Sequence, residues 1–107
     1  MADFGDIPQG GSRSFVVVAI LSNGATAAPP FPVTLTNDND PSIGSASVSS
    51  DGSSGVVTAG ATNGAGAFHV DGGGFSDNAT YNVVDAVTVT GIQIQPVAGL
   101  KIKPAKK

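Results

Sequence analysis

The fold class is decided by residues 55–71, which read GVVTAGATNGAGAFHVD. Residues 55–59 and 65–71 are short runs of β-forming or alternating side chains, so both predict strands. The dipeptide Asn63-Gly64 between them predicts a hairpin turn, because both residue types tolerate a positive φ. Strands this short, joined by glycine-rich turns, indicate an all-β fold.

Four further segments extend this pattern in both directions. Residues 14–21 contain a continuous apolar run, which suits a strand buried on both faces or one that crosses between sheets, and we expect a central strand. Residues 31–36 alternate cleanly and predict a half-buried strand, whereas residues 43–49, where Ala and Val alternate with Ser, predict a weaker, more exposed strand. Residues 81–90 predict the strand that closes the fold, with a bulge at Val84-Asp85. About six strands with turn residues between them predict an all-β, immunoglobulin-like β-sandwich.

The composition agrees with this fold class. Every acidic residue is Asp, and Leu occurs only at positions 21, 35 and 100, so the best helix formers are scarce. The chain has 15 Gly and 7 Pro, which suits many short strands joined by tight turns. Aromatic residues make up only 6% and Trp is absent, so Val, Ile and Ala must supply much of the core.

The chain divides into three predicted parts. Residues 1–12 show no periodicity and predict an N-terminal arm, whereas residues 13–91 predict the sandwich. Residues 92–107 predict a C-terminal hairpin or arm. The apolar face of an isolated hairpin needs a cover, so we expect this last part to bind a partner. The expected partner-binding residues alternate along it: Ile92, Ile94, Leu100, Lys101, Ile102 and Lys103.

The charge pattern excludes several classes of partner. A net charge of -3 and a pI near 4.5 argue against nucleic acid, which requires a clustered basic face. No apolar run approaches the ~20 residues of a membrane span, and the acidic N-terminus lacks a signal-peptide core. We therefore expect cytoplasmic synthesis and no membrane insertion. The four C-terminal lysines form the one basic patch, which suits either docking on an acidic surface or a solubilising terminus.

Two clusters carry groups that enzymes and metal sites use. Alternation predicts that Phe68 faces the core and that His69, the only histidine, faces outward with Asp71. No G-x-S-x-G motif accompanies this pair, so we expect a surface histidine and no enzyme. Residues 37–40 are rich in oxygen ligands but lack the Gly and Glu positions of an EF-hand loop, so a hydrogen-bonded turn is favoured over Ca²⁺ binding. Without Cys, a thiolate zinc site is excluded, and we expect no metal and no cofactor.

Three stretches occur in an order that is typical of one family. They are PVTLTN at 32–37, ASVS at 46–49 followed by GVVTAG at 55–60, and NGAGAFHV at 63–70. Together they resemble the bacterial immunoglobulin-like repeats found in invasin and intimin adhesins and in many tailed-phage virion proteins. Leu35 replaces the aromatic residue that these repeats often carry in the third strand, and the segment from Gly91 onward has no counterpart. The resemblance implies a binding or spacer role with no catalytic residues.

These observations lead to one expected function and one alternative. We expect a non-enzymatic structural protein of a phage virion, an Ig-like module that decorates or attaches to a capsid or tail. Its expected partners are capsid or tail subunits and copies of itself, with a host-surface glycan as a further candidate. The alternative is a spacer or ligand-binding module of a bacterial surface adhesin, at the cell surface. A carbohydrate-binding module is disfavoured by the lack of Trp, because sugars stack on exposed aromatic rings.

Overall fold

The computed structural model describes residues 1–97, and these residues form nine β-strands and no helix. The all-β prediction is confirmed. The strands are β1 (Ala2–Pro8), β2 (Ser12–Val16), β3 (Ala19–Ile20), β4 (Thr26–Ala27), β5 (Thr34–Asn37), β6 (Gly44–Val48), β7 (Ser54–Ala59), β8 (Gly64–Gly72) and β9 (Phe75–Val84). Residues 1–97 therefore contain no helix that is long and apolar enough to cross a membrane.

Two sheets pack face to face as a β-sandwich. One sheet has the strand order β1-β9-β8-β5 and the other has the order β2-β7-β6, while β3 and β4 form a separate two-residue ladder. In an immunoglobulin domain, strands A, B, E and D form one sheet and strands C, F and G form the other. Here β2, β7 and β6 take the places of B, E and D, and β5, β8 and β9 take those of C, F and G. The predicted immunoglobulin-like sandwich is thus confirmed by the strand order.

The core lies between the two sheets, where alternate side chains of facing strands meet. Phe68 is buried, so its predicted inward position is confirmed, and on the same principle Ala46 is buried and Val70 is half-buried. Three of the eight buried side chains are alanines, so each large one supplies a large share of the apolar burial. The buried set consists of Ile7, Ala46, Val57, Ala59, Phe68, Ala79, Tyr81 and Val83.

Two aromatic side chains pack against glycines of the neighbouring strand. Phe15 of β2 lies opposite Gly55 of β7, and Tyr81 of β9 lies opposite Gly66 of β8. A Cβ atom at either glycine would overlap the facing ring. Glycine weakens a strand interior unless another group uses the space, and here the rings use it. Burial raises the pKa of Tyr81, whose hydroxyl donates to Asn39 Oδ1 at 3.3 Å.

The N-terminal residues belong to the sandwich and are not the predicted arm. Strand β1 pairs in parallel with β9, from Ala2 opposite Ala79 to Pro8 opposite Val84. Ile7 is fully buried in the core. The ladder shifts register between Asp3 and Asp6, and a glycine-rich irregular pattern of this kind hides the period-2 signal of a strand.

The predicted central strand over residues 14–21 is wrong. Strand β2 ends at Val16 and lies at the edge of its sheet, and the chain then continues into the short β3. Val16, Val18 and Ile20 are exposed. A continuous apolar run usually means burial on both faces, but here the run leaves the sandwich and forms one side of an open groove.

Two turn and strand predictions near the C-terminus also need correction. The Asn63-Gly64 turn does not form a hairpin, because β7 and β8 belong to different sheets and the turn carries the chain between them. The predicted strand over residues 81–90 ends with β9 at Val84, so no bulge forms at Val84-Asp85. Residues 85–97 are exposed and contain no strand. The second half of the predicted C-terminal hairpin lies outside the described residues.

Candidate docking surface

An apolar groove of about 730 Å³ opens at one end of the sandwich, which we call the entry pole. The entry pole is where β1 begins, β2 ends and β9 begins, because β2 and β9 run in opposite directions along the domain. Each of these strands contributes apolar side chains to the groove. Its walls include Phe4, Phe15, Val16, Ile20, Phe31 and Phe75.

Aromatic rings form the floor of the groove. The Phe4 and Phe15 ring centroids are 5.8 Å apart with an interplanar angle of 69°, and the Phe15 and Phe68 centroids are 5.3 Å apart. Near the rim, Phe31 and Phe75 stack with their centroids 6.4 Å apart and their planes at 24°. Offset and edge-on aromatic pairs at these distances are attractive beyond their buried area, so the floor is fixed while the mouth stays open.

The rim of the groove exposes apolar side chains that soluble domains usually cover. Val16, Ile20 and Phe75 are 71%, 80% and 73% exposed. Contiguous apolar surface of this kind marks a site of interaction with another surface. Asp71 and Asp77 also line the groove, and Asp77 lies 3.1 Å from the Met1 amino group.

The groove runs beside a strand edge that has no neighbour in the described residues. Val17 N donates to Ser53 O at 2.8 Å, so the ladder between β2 and β7 continues one residue beyond β2. Ladder bonds alternate along an antiparallel strand, so the backbone groups of Ser14 and Val16 point to the free edge. Arg13 caps the far end of that edge, since its guanidinium donates to Ser12 O at 2.9 Å and to Asp6 O at 3.2 Å.

The predicted outward position of His69 is confirmed, and its ring lies between two carboxylates. Nδ1 is 2.7 Å from Asp38 Oδ2, and Nε2 is 3.3 Å from Asp71 Oδ2. The hydrogen bond to Asp38 raises the pKa of His69, and the charge of Asp71 adds to the effect. With both ring nitrogens facing carboxylates, neither is free to accept a proton from a nucleophile. The arrangement ties β8 to the loop after β5.

The oxygen-rich residues 37–40 lead from the last residue of β5 into a turn at 40–43, and their side chains hydrogen-bond within the chain. Asn37 pairs with the backbone of Ala46, accepting from its N–H at 2.8 Å and donating to its carbonyl at 3.1 Å. Asn39 donates to Gly44 O at 3.0 Å and accepts from Ala67 N–H at 3.0 Å, so it joins the two sheets. Among the described residues, no group of three or more His, Cys, Asp or Glu is placed to hold a metal ion.

The predicted partner-binding residues fall into two groups. Ile92 and Ile94 are 98% and 97% exposed, so within the described chain they are free for contact. Leu100, Lys101, Ile102 and Lys103 lie outside the described residues. The groove itself was not predicted from the sequence, although its signal was present: the apolar run through residues 15–21 is longer than strand β2 needs.

No protein-family model matches this chain, and no curated protein sequence matches it. Among solved structures, the crystal structure of the S-layer protein rSbsC(31-844) is similar with a TM-score of 0.63 and 24% identity, over 84% of this chain and 13% of that one. The structure of surface layer protein SbsC, domains 4-9, is similar with a TM-score of 0.61 and 23% identity, over 95% of this chain and 16% of that one. The chain thus spans a small part of these proteins, and the likeness shows that they share its fold.

Proposed function

We propose that this chain is a non-enzymatic structural module of a bacterial cell-surface protein or surface layer. The observation that carries this proposal is the likeness of its fold to one small portion of a long S-layer protein. The resemblance of residues 32–70 to adhesin repeats supports the same location. The chain then acts as one unit in an array, and its work is to hold neighbouring units in place.

The surface chemistry supports a structural role. The groove is lined mainly by apolar side chains and offers no arrangement of nucleophile and base among the described residues. His69, the one histidine, is held between two carboxylates and so serves to join loops. An apolar groove beside a free strand edge is suited to binding an extended segment of another polypeptide.

The location can be tested by protease treatment of intact cells of the source organism. We expect the chain to be digested by added protease, to fractionate with the envelope and to be released by guanidinium, while a cytoplasmic enzyme in the same cells stays intact. Full protection from protease in unbroken cells would contradict the proposal. Recovery of the chain in purified phage particles would instead support the virion interpretation, in which the same groove docks on capsid or tail subunits.

A further inference from the structure

We propose that the groove at the entry pole binds residues 86–97 of a second copy of this chain, which lie as an added strand beside β2. We call residues 86–97 the donor segment. This inference deepens the proposed function, on which it rests, by naming the neighbouring unit as another copy and by stating how the two are joined.

The first strand of this sandwich pairs with the opposite sheet, so the edge of β2 has no neighbouring strand among residues 1–97. An immunoglobulin sheet with strands A, B, E and D has strand A beside strand B. In this domain the sheet ends at β2, which takes the place of B, and β1 pairs with β9 of the opposite sheet. The position of strand A is therefore unfilled within residues 1–97. The backbone groups of Ser14 and Val16 face that position, and an added strand would pair with them.

The donor segment has the pattern of a strand without a sheet. Val87 and Val89 alternate with threonines, and Ile92 and Ile94 alternate with glutamines. These four side chains are 85%, 86%, 98% and 97% exposed. Gly91 shifts this alternation by one residue, so in a continuous strand Val87 and Val89 lie on the face opposite to Ile92 and Ile94. Each of these two apolar faces is stabilised only when another surface covers it. The mouth of the groove offers apolar side chains of the same kind.

The donor segment and the groove lie at opposite ends of the domain. Strand β9 begins at the groove and its ten residues carry the chain roughly 33 Å away before the donor segment starts. To reach its own groove, the segment would have to reverse direction and cover that distance again. A second copy placed end to end presents its groove directly to the segment. The geometry therefore favours contact between copies.

The charge distribution along the chain also favours contact between two copies. All eight acidic residues and Arg13 lie in residues 1–85, so that part carries a formal charge of -7, whereas residues 86–107 contain four lysines and no acidic residue, for a charge of +4. Asp71 and Asp77 flank the groove. The donor segment itself is uncharged, and the four lysines that follow it in the sequence attract an acidic domain, whereas two acidic domains without them repel each other.

The test uses two full-length variants that each lose one half of the contact. Val16→Thr with Phe75→Ser alters the groove, and Val87→Thr with Val89→Thr alters the donor segment. All four positions are exposed, so the fold should be retained, which circular dichroism can verify. Val56→Thr, on the outer face of β7, is the matched control.

Sedimentation velocity over a range of concentrations gives the first result. We expect the unaltered chain and the Val56→Thr control to form species of increasing size, and each paired variant alone to remain monomeric at concentrations at least tenfold higher. A mixture of the two paired variants should form a one-to-one dimer that grows no further, because one intact groove and one intact segment remain. A monomeric unaltered chain, or a mixture that does not associate, would overturn the proposal.

Disulfide trapping distinguishes a second copy from the chain's own segment. The chain has no Cys, so Val16→Cys and Val89→Cys can be introduced without background. When the two single variants are mixed and oxidised, we expect a disulfide-linked heterodimer on a non-reducing gel. In the control, Ser45→Cys is mixed with Val89→Cys, and we expect no heterodimer. A double variant that closes only within one chain would overturn the proposal. These results do not depend on where the protein resides, so the cell-surface assay can succeed or fail independently.

Discussion

Replacing Ile7 by Ala tests whether β1 is a core strand or a detachable arm. Ile7 is fully buried between the sheets, and the change removes three carbon atoms from a core in which three of eight side chains are already Ala. The lost transfer free energy is roughly 2.4 kcal/mol, and the cavity that remains brings the expected cost to about 3 kcal/mol. Domains of this size have a free energy of unfolding of about 5–15 kcal/mol, so the loss is a large fraction of the total.

The assay is urea unfolding followed by circular dichroism and by the fluorescence of Tyr81, the only tyrosine. With an m-value of roughly 1.5 kcal/mol/M, the midpoint should fall by about 2 M. Ile20→Ala is the matched control, because it makes the same chemical change at a side chain that is 80% exposed, and its cost should stay within about 0.5 kcal/mol. Equal midpoints for the two variants would refute the assignment of β1 to the core.

Three further predictions concern single contacts. Gly66→Ala places a methyl group against the Tyr81 ring, so it should destabilise the fold by about 1–3 kcal/mol in the same urea assay, and a neutral effect would contradict that packing. The pKa of His69 is raised above 6.5 by Asp38, so the contribution of His69 to stability is complete below pH 6.5 and is lost as the pH rises through the folded-state pKa. His69→Gln should flatten the decline of thermal stability as the pH rises above 6.5, and an unchanged slope would count against the pair. Hydrogen bonds from neighbouring serines lower the pKa of Asp51 from 3.8 to about 2, so the contribution of Asp51 to folding stability is present above pH 3.8 and is lost as the pH falls toward 2. Asp51→Asn should therefore reduce the loss of stability on acidification. Identical acid unfolding profiles for the two proteins would rule out this contribution.

The half-buried strands could be predicted because each has one face in the core. Phe68 lies in the core and His69 lies outside it, as the alternation in residues 65–71 requires. Ala46 and Val57 follow the same rule on β6 and β7. Period-2 alternation shows which face of a strand is buried, so it can be recognised even in short strands.

Pairing between distant strands could not be predicted from local patterns. Strand β1 is recognisable only from its parallel partner β9, since its own residues, ADFGDIP, show no clear alternation. The Asn63-Gly64 turn joins two sheets, and a local turn preference does not specify which strands pair across it. Residues 87–90 alternate as a strand does but have no partner strand among residues 1–97.

Of the two parts of the candidate site, the exposed C-terminal segment could be predicted from the sequence and the groove could not. Alternation at Ile92 and Ile94 indicated a segment that needs a cover, and both side chains are exposed. The surface proposed to cover them was missed, because the apolar run over residues 15–21 was interpreted as a buried strand. Hydrophobicity alone does not distinguish an apolar residue that is buried in its own core from one that is exposed and binds another surface.

An end-to-end contact of this kind has a structural consequence for the array. The groove and the donor segment are different surfaces, so each added copy consumes one of each and leaves one of each unused, and the contact does not close on itself. A free strand edge with exposed valines is normally blunted by charged residues or prolines, since it pairs with any available strand. Here Arg13 blocks only the far end of the β2 edge, and at the groove end the outward backbone groups of the uncharged Val16 have no partner among residues 1–97. The unprotected part of the edge is thus the part that faces the groove, which restricts pairing to a segment able to enter it.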